Sequence, residues 1–489
     1  MANAAWSILT KEAQSLFARH GYAQKSFPGA LRFALPCGVI IVFIALAFAT
    51  ASPWPDDHDG VNYLLGVDSY SLEFHRPHFP GYPVYIFAGK LLHAVGLTPE
   101  WALVFLSLIS GALALLLFFK FTKDIFGGYT ALLLITALAI NPVFFEFSHK
   151  IFTELFGLAL LMACAATLGA PEKGGGAGWF GAGLLLGLML GVRLSWWPFA
   201  LVYALAGLRH KSFYPIFAGG VAGLLFWLIP LLAAVGPAQF YQAGISFVPG
   251  HFGDWGGAIS SANGSGERMI AYTGNLFEAI GWNADRNLLA RIPWILLCSY
   301  SVFLVIKNRD SLNSGIALFI TSVAVYLLWV SVGQNVEKVR HFIPAIPAVI
   351  LLTGLAARKL GKVYWLVIIL SAFTIAGDYL DRAHISPPAR RLAQWLDSRY
   401  EGNAILYCGE AERFFDRYQA GITVKNVPRI GQLQKTIDTT WPSVDISMIC
   451  DDIPGIKFRG EPVATFPERI GDPVDKRLNV YLAGNVADG

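Results

Sequence analysis

The stretch PDDHDGVNYLLGVDSYSLEFHRPHFPGYPVY, from Pro55 to Tyr85, holds four aspartates, a glutamate, three histidines and an arginine directly after an apolar run. Carboxylates at such density can act as a general base, bind a divalent cation, or do both. The plainest use of Asp56, Asp57 and Asp59 is to cap a helix beginning at Gly60 and favour its positive end. Capping needs one carboxylate, however, and Asp68 and Glu73 follow beside His75, Arg76 and His78. The surplus favours chemistry. Asp57 and Asp59 also make a D-x-D pattern of the kind that holds the metal of a nucleotide sugar, but no Rossmann-like pattern surrounds it, and that spacing alone says little.

These residues must be positioned by a membrane protein. The chain has 489 residues, 55% of them hydrophobic and 14% charged, with a mean hydropathy of +0.51, far more apolar than a soluble domain. A spanning helix needs roughly 20 mostly apolar residues. About eleven segments qualify, near 33–51, 100–119, 129–148, 151–169, 177–192, 194–208, 213–235, 288–306, 314–332, 341–357 and 363–379. The fifth and sixth form one apolar run that is split at Arg193. The first follows a polar segment too long for a signal peptide's charged start and without a clear cleavage site, so it reads as a retained helix.

Basic residues set the orientation. With a cytoplasmic amino terminus, the inner loops carry Lys11, Arg19, Lys25 and Arg32, then Lys120 and Lys123, Lys173, Arg209 and Lys211, Lys307 and Arg309, and Arg358, Lys359 and Lys362. Eleven crossings leave the carboxyl terminus outside, together with a first outer loop of about residues 52–99 and a long loop from about Gly236 to Asn287. Within the first loop, GVNYLLGV and YPVYIFAGKLLHAVGL are too short to span and read as interfacial helices. Between them RPHFPGYP has three prolines and a glycine in eight residues, which forbids continuous helix and imposes an ordered, turning backbone.

From about Asp381 the pattern alternates between strand-like and helix-like runs, as in a small α/β domain, with no glycine-rich phosphate loop. The expected architecture is therefore an all-α polytopic membrane domain over residues 1–380 and a small α/β extracytoplasmic domain over 381–489. The five cysteines lack metal-ligand spacing. Cys37, Cys164 and Cys298 fall in apolar runs, whereas Cys408 and Cys450 close two strand-like runs and can pair if their compartment is oxidising. A net charge of +4 gives no reason to expect a nucleic-acid partner.

An inner amino terminus, one span, an outer loop opening on an aspartate, interfacial helices and then many spans resemble the GT-C superfamily of integral-membrane glycosyltransferases. DGVNYLLGV followed by HRPHFPGYPVYIFAGKL is similar to its bacterial, mannosyltransferase-like branch, and GLMLGVRLSWWP and VRHFIPAIPAVILL also look like that superfamily. The resemblance implies transfer of a sugar from a polyprenyl-phosphate-linked donor to a lipid, glycan or protein acceptor outside a bacterial inner membrane, usually with inversion. It casts Asp59 as base or acceptor-orienting acid, with Asp57 next. The departing phosphate needs positive charge, and arginine's planar fork suits it. The expected order is Arg340, Arg193, then Arg76, with Lys338 and His341 beside the first. His75, His78, Tyr82, Glu154 and His149 are expected to line the substrate site. His251, Asp254 and Trp255 are minor candidates on a glycine- and serine-rich loop expected to act as a lid. Some members hold a divalent cation; here Asp57 and Asp59 are the only acid pair offered for Mg or Mn. The rival readings are a transporter or flippase for a lipid-linked or small solute, and a scaffold whose tail binds a partner.

Overall fold

The computed structural model describes residues 30–483 except 56, 170, 172–173, 254–256, 261–264, 282–287, 308–313, 381–385, 401–403, 410, 416, 419–420, 428–430, 434, 437–445, 454 and 468–476. Asp56, Asp254, Trp255, the inner-loop residues Lys11, Arg19, Lys25, Lys173 and Arg309, and the expected domain boundary at Asp381 lie outside the described residues.

The helices run in the order α1 (Leu31–Thr50), α2 (His58–Asp68), α3 (Pro83–Ala94), α4 (Pro99–Phe126), α5 (Gly128–Ala139), α6 (Pro142–Phe147), α7 (Glu154–Leu168), α8 (Gly176–Val192), α9 (Trp197–Arg209), α10 (Phe213–Val235), α11 (Pro237–Gly253), α12 (Ser265–Ala279), α13 (Leu288–Lys307), α14 (Ser314–Gly333), α15 (Ala345–Leu352), α16 (Gly354–Lys359) and α17 (Gly361–Leu380). Every segment expected to span is helical over most of its length. Among the described residues, α1, α4, α10 and α14 are long and apolar enough to cross a membrane alone, and five further apolar helices are shorter. The shorter pieces have visible causes. Asn141 caps α6 by accepting from Phe144 N, with Pro142 at its first turn, so the third expected span breaks there. The tenth divides at Thr353, whose hydroxyl turns back to Ile350 O at 2.6 Å.

Glycines let the bundle close tightly. A Cβ on Gly183 would meet Ile216 O at 2.1 Å, and one on Gly219 would meet Phe180 O at 2.0 Å. The α8 and α10 backbones are therefore in direct contact, the small-residue packing that membrane helices use where lipid offers no hydrophobic drive. Phe144, Trp179, Trp196, Phe199 and Tyr326 fill the buried centre of this bundle.

The first outer loop is ordered as expected, with α2 and α3 flanking a hairpin-like turn in which Ser71 and Arg76 exchange two backbone hydrogen bonds. The long segment after Gly236 is not an open loop, because α11 and α12 occupy much of it. Phe247–Gly253, expected as the start of a glycine- and serine-rich loop, instead continues α11 through Pro249.

The tail begins with α18 (Pro388–Arg399) and folds as β1 (Ala404–Cys408), α19 (Glu412–Phe415), β2 (Thr423–Asn426), β3 (Ile446–Cys450), β4 (Ala464–Phe466) and β5 (Leu478–Leu482). The sheet order is β2-β1-β3-β5-β4, with β1 parallel to β2 and β3 and with β5 antiparallel to β3 and β4. Cys408 and Cys450 end the adjacent strands β1 and β3 as buried free thiols. The tail's core is completed from the membrane domain: Val61 and Leu65 of α2 pack with Leu392, Leu396 and Phe414.

Candidate functional site

The site starts at the first turn of α2. Asp57 caps the helix, its Oδ1 accepting from Asp59 N at 2.8 Å. Its Oδ2 is engaged as well, 2.9 Å from Nη1 of Arg340, while Arg340 Nη2 reaches Asp59 Oδ2 at 2.5 Å. One guanidinium thus spans both carboxylates. The cap does not compete with chemistry, since one aspartate serves both.

Arg340 comes from a short 3-10 turn, Val339–Phe342, placed between α14 and the start of α15. It is 4% exposed and lies 5.0 Å from the ring centre of Phe152. Arg193 sits at the C-cap of α8, where the helix ends and a 3-10 turn, Leu194–Trp196, leads into α9. Beneath both guanidiniums is Glu154, the first residue of α7 and fully buried. Its Oε1 takes Arg193 Nη1 and lies 3.7 Å from Arg340 Nε. Arg193 also donates to Thr153 Oγ1 and Ser195 Oγ, each at 3.2 Å, and its Nη2 lies 2.9 Å from His341 Nδ1. Buried charges are tolerable only when paired in this way.

His58 lies between the aspartates, Nδ1 2.9 Å from Asp57 Oδ1 and Nε2 3.2 Å from Asp59 Oδ1. Burial pulls its pKa down, but the two carboxylates overcome this and hold it well above the ordinary histidine value. Burial pushes Asp57 up, yet Lys338, 3.7 Å away, together with Arg340 and His58, holds it well below the carboxylate range. For Asp59 the opposing charges are His58 and Arg340, with the same result. His78 is the reverse case. Its Nδ1 is 3.5 Å from Asp59 Oδ1 and its Nε2 2.8 Å from Tyr82 Oη, but burial outweighs the carboxylate and lowers it to about 4. It is therefore a neutral imidazole with one face stacked on Phe247, ring centres 5.2 Å apart.

Above this floor opens a cavity of about 630 Å³ whose walls carry Asp59, Asn62, Arg193, Lys338, Arg340 and His341. Its remaining lining includes Leu194, Trp197, Val248, Phe252 and Trp329, and the first four of these are also large exposed apolar side chains. The cavity is charged at depth and apolar at the rim.

Of the residues singled out from sequence, Asp57, Asp59, Arg193, Glu154, Lys338, Arg340, His341, His78 and Tyr82 meet here, and His75 and His251 line the same cavity. Two do not join it. Arg76 has its backbone committed to the Ser71 pairing, with its guanidinium 5.9 Å from the Phe74 ring. His149 is buried against Phe145, ring centres 5.2 Å apart. Sequence reasoning passed over His58, Asn62, Thr153 and Ser195. The available signals were a histidine set between two aspartates, and a hydroxyl two residues beyond Arg193.

Asp57, His58 and Asp59 bring three potential metal-ligand atoms within 4.8 Å of one another. The fit to a divalent cation is poor nonetheless, because both Oδ2 atoms already face the Arg340 fork and Lys338 stands beside them. A cation on the Oδ2 atoms would have to displace a buried guanidinium, and one on the Oδ1 atoms would have to displace the His58 contacts.

The fold has counterparts among solved structures. Across 93% of this chain and 99% of the other, the structure matches that of ArnT from Cupriavidus metallidurans in the apo state, with a TM-score of 0.55 and 13% identity. ArnT bound to undecaprenyl phosphate matches with the same TM-score and 12% identity, over 91% of this chain and 98% of that one. The chain therefore shares the fold of these structures. Within it, residues 76–233 match the family model of dolichyl-phosphate-mannose-protein mannosyltransferases. A weaker likeness, with a TM-score of 0.46 and 12% identity over 84% of this chain and 67% of the other, is to the oligosaccharyltransferase of Archaeoglobus fulgidus. No curated protein matches by sequence.

Proposed function

We propose that this integral membrane protein transfers a sugar from a polyprenyl-phosphate-linked donor to an acceptor hydroxyl on the extracytoplasmic side, with inversion at the anomeric carbon. The observation that carries the reading is the Arg340 fork on Asp57 and Asp59 at the floor of a cavity with an apolar rim. A lipid phosphate needs both features, a cationic end for its oxygens and an apolar exit for its chain. The undecaprenyl phosphate bound by ArnT is a ligand of this kind.

In this reading the donor phosphate enters beside Arg340, Arg193 and Lys338 and draws the Arg340 fork partly away from Asp59. Losing that neighbouring charge lets the Asp59 carboxylate rise from its depressed pKa and become a usable base. The acceptor oxygen bonds to the anomeric carbon as the carbon–oxygen bond to phosphate breaks. The hydroxyl proton passes to Asp59, and the electron pair leaves with the polyprenyl phosphate, whose charge the arginines hold. Attack from the face opposite the leaving group inverts the centre. No step is routed through a metal ion.

Helix polarity supports the proposed sidedness. Glu100, at the start of α4, meets Arg417 of the tail, while Lys120 and Lys123 close its other end, about 35 Å away at 1.5 Å per residue. Lysines at that end support a cytoplasmic placement for it, by the positive-inside rule.

The test is turnover of polyprenyl-phosphate sugars by the purified protein. Asp59→Asn should reduce transfer by about 10²- to 10⁴-fold, the range for a lost general base, while donor still binds. Full transfer by this variant removes Asp59 from the mechanism, and solute transport into liposomes with no glycosyl product returns the question to a transporter.

A further inference from the structure

A second cavity of about 710 Å³ adjoins the first and shares His75, Phe79 and Phe247 with it. Besides the shared His75, its polar lining is Glu73 from the first loop and Gln239, Gln242 and Ser246 from α11. Nothing in the proposed chemistry uses these four side chains. We infer that this cavity is the acceptor subsite and that the acceptor is an uncharged carbohydrate, an inference that rests on the glycosyl-transfer reading.

The chemistry of the lining selects the ligand. Among its described residues there is no lysine or arginine, in contrast to the neighbouring cavity with Arg193, Lys338 and Arg340. An anionic acceptor would meet Glu73 with no lysine or arginine in the wall to offset it, while burial and the nearby Arg413 lower the pKa of His75, and like charges so placed disfavour binding. A sugar hydroxyl both donates and accepts. A carboxylate, two carboxamides and a serine hydroxyl offer that mixture of acceptors and donors, and Phe79 and Phe247 offer apolar faces for the pyranose C–H surface.

The helix is built for this placement. Residues 239, 242, 243 and 246 recur at the three- and four-residue spacing of one helical face. Gln239 Nε2 donates across the cavity to Glu73 Oε2 at 3.2 Å, tying α11 to the first loop. Ser246 spends its proton on Gln242 O at 2.8 Å and so keeps its oxygen lone pairs for a ligand. On another face of α11, Tyr241 and Ile245 are exposed and apolar, as in a helix lying in a membrane interface. The polar face is thereby left toward protein and water, where a hydrophilic acceptor arrives. The shared wall includes Phe247, which stacks on His78, itself 3.5 Å from Asp59, so a hydroxyl entering there comes near the aspartate proposed as base.

The experiment has two independent arms. Binding is read by saturation-transfer NMR with a mixture of neutral oligosaccharides and with the same mixture carrying a terminal phosphomonoester. Wild type should bind the neutral set in preference. Gln242→Ala should weaken it by about 3- to 10-fold, the effect of one neutral hydrogen bond, and Glu73→Lys should shift preference toward the phosphorylated set. The second arm follows cleavage of a polyprenyl-phosphate sugar. There Gln242→Ala should raise acceptor KM by a similar factor while leaving donor KM within about twofold. Preference for the phosphorylated set, or binding indifferent to both substitutions, overturns the inference even if donor is cleaved. Absence of Asp59-dependent donor cleavage, with oligosaccharide binding intact and Gln242-dependent, overturns the transfer reading and leaves a carbohydrate site.

Discussion

At the scale of single residues, the site is a chain of alternating charges in which each guanidinium has more than one partner. Arg340 is held by Asp57 and Asp59 and lies near Glu154, and Arg193 by Glu154 and His341. Removing one member strands another in a buried setting, a loss of about 3–5 kcal/mol, so Arg340→Ala tests folding more than function. Arg340→Lys is the informative change because it keeps the charge and loses the fork. Donor titration should show KM raised by about tenfold or more, consistent with one or two charge-assisted hydrogen bonds, with the unfolding midpoint largely retained. His58 gives a prediction in pH. Its folded pKa is raised by Asp57 and Asp59 above the ordinary value of 6.5, so its contribution to stability is complete below about pH 6.5. It disappears as pH rises through the raised folded value. Thermal unfolding followed from pH 6 to pH 10 should decline on the alkaline side in wild type and decline less in His58→Gln. Because Arg340 occupies the carboxylates a cation would use, donor cleavage should change by less than about twofold on chelation with EDTA, a difference below ~0.4 kcal/mol.

The elements hold these residues through crowded contacts, and one of them shapes the first loop. Gly81 has φ +94°, and a Cβ there would lie 2.0 Å from Tyr70 Oη and 2.8 Å from Leu72 Cδ2. Tyr70 in turn donates to Gly81 O at 3.0 Å, which fixes the turn between His78 and the α3 N-cap, Tyr82. Gly96 shares the left-handed backbone, at φ +103°, with nothing within 4 Å of a Cβ. Alanine at Gly96 should cost about 1 kcal/mol from backbone strain alone. At Gly81 a further 1–3 kcal/mol of overpacking is expected, and the unfolding midpoint and the transfer rate should both fall. Crowding of this kind explains what was legible in the sequence. The prolines and Gly81 of RPHFPGYP announce an ordered turn by themselves, and Asp59, Arg193 and Arg340 stand out as charges at the ends of apolar runs. Their pairing is invisible there, because Arg340 and Asp57 are 283 positions apart and only the bundle brings them together. His58 was hidden by its neighbours, since a histidine among aspartates reads as part of a cap. The polar face of α11 was hidden by Pro249 and the surrounding glycines, which suggest a loop wherever local composition is the only guide.

At the scale of the whole molecule, the tail is fastened to the helix that carries Asp59. Arg413 donates from Nε to Asn62 Oδ1 at 2.6 Å and from Nη2 to the carbonyls of Phe74 and His75, at 2.7 and 3.1 Å. Asn62 lies one turn beyond Asp59 on α2 and lines the first cavity, and His75 belongs to both cavities. One tail side chain therefore ties the helix that carries Asp59 to the wall between the two cavities. Arg417 makes a separate contact with a largely buried Glu100 and an exposed Asp68, neither of which lines a cavity, and only the pair with Asp68 is of the surface kind worth about 0–1 kcal/mol. The two arginines should then behave differently. Arg413→Ala frees α2 to shift against the loop and should lower kcat by about tenfold or more, since hydrogen bonds to a charged group contribute about 1.5–3 kcal/mol each. Donor KM should hold, because Arg340, Arg193 and Lys338 do not touch Arg413. Arg413→Lys, which can reach one of the three acceptors, should recover part of the rate, and Arg417→Ala should leave kcat within about twofold. Steady-state kinetics on the three variants, with circular dichroism to show that the tail sheet persists, separates positioning from folding. If Arg413→Ala keeps full kcat with the sheet intact, the tail is a passenger on α2 and does not position its catalytic end.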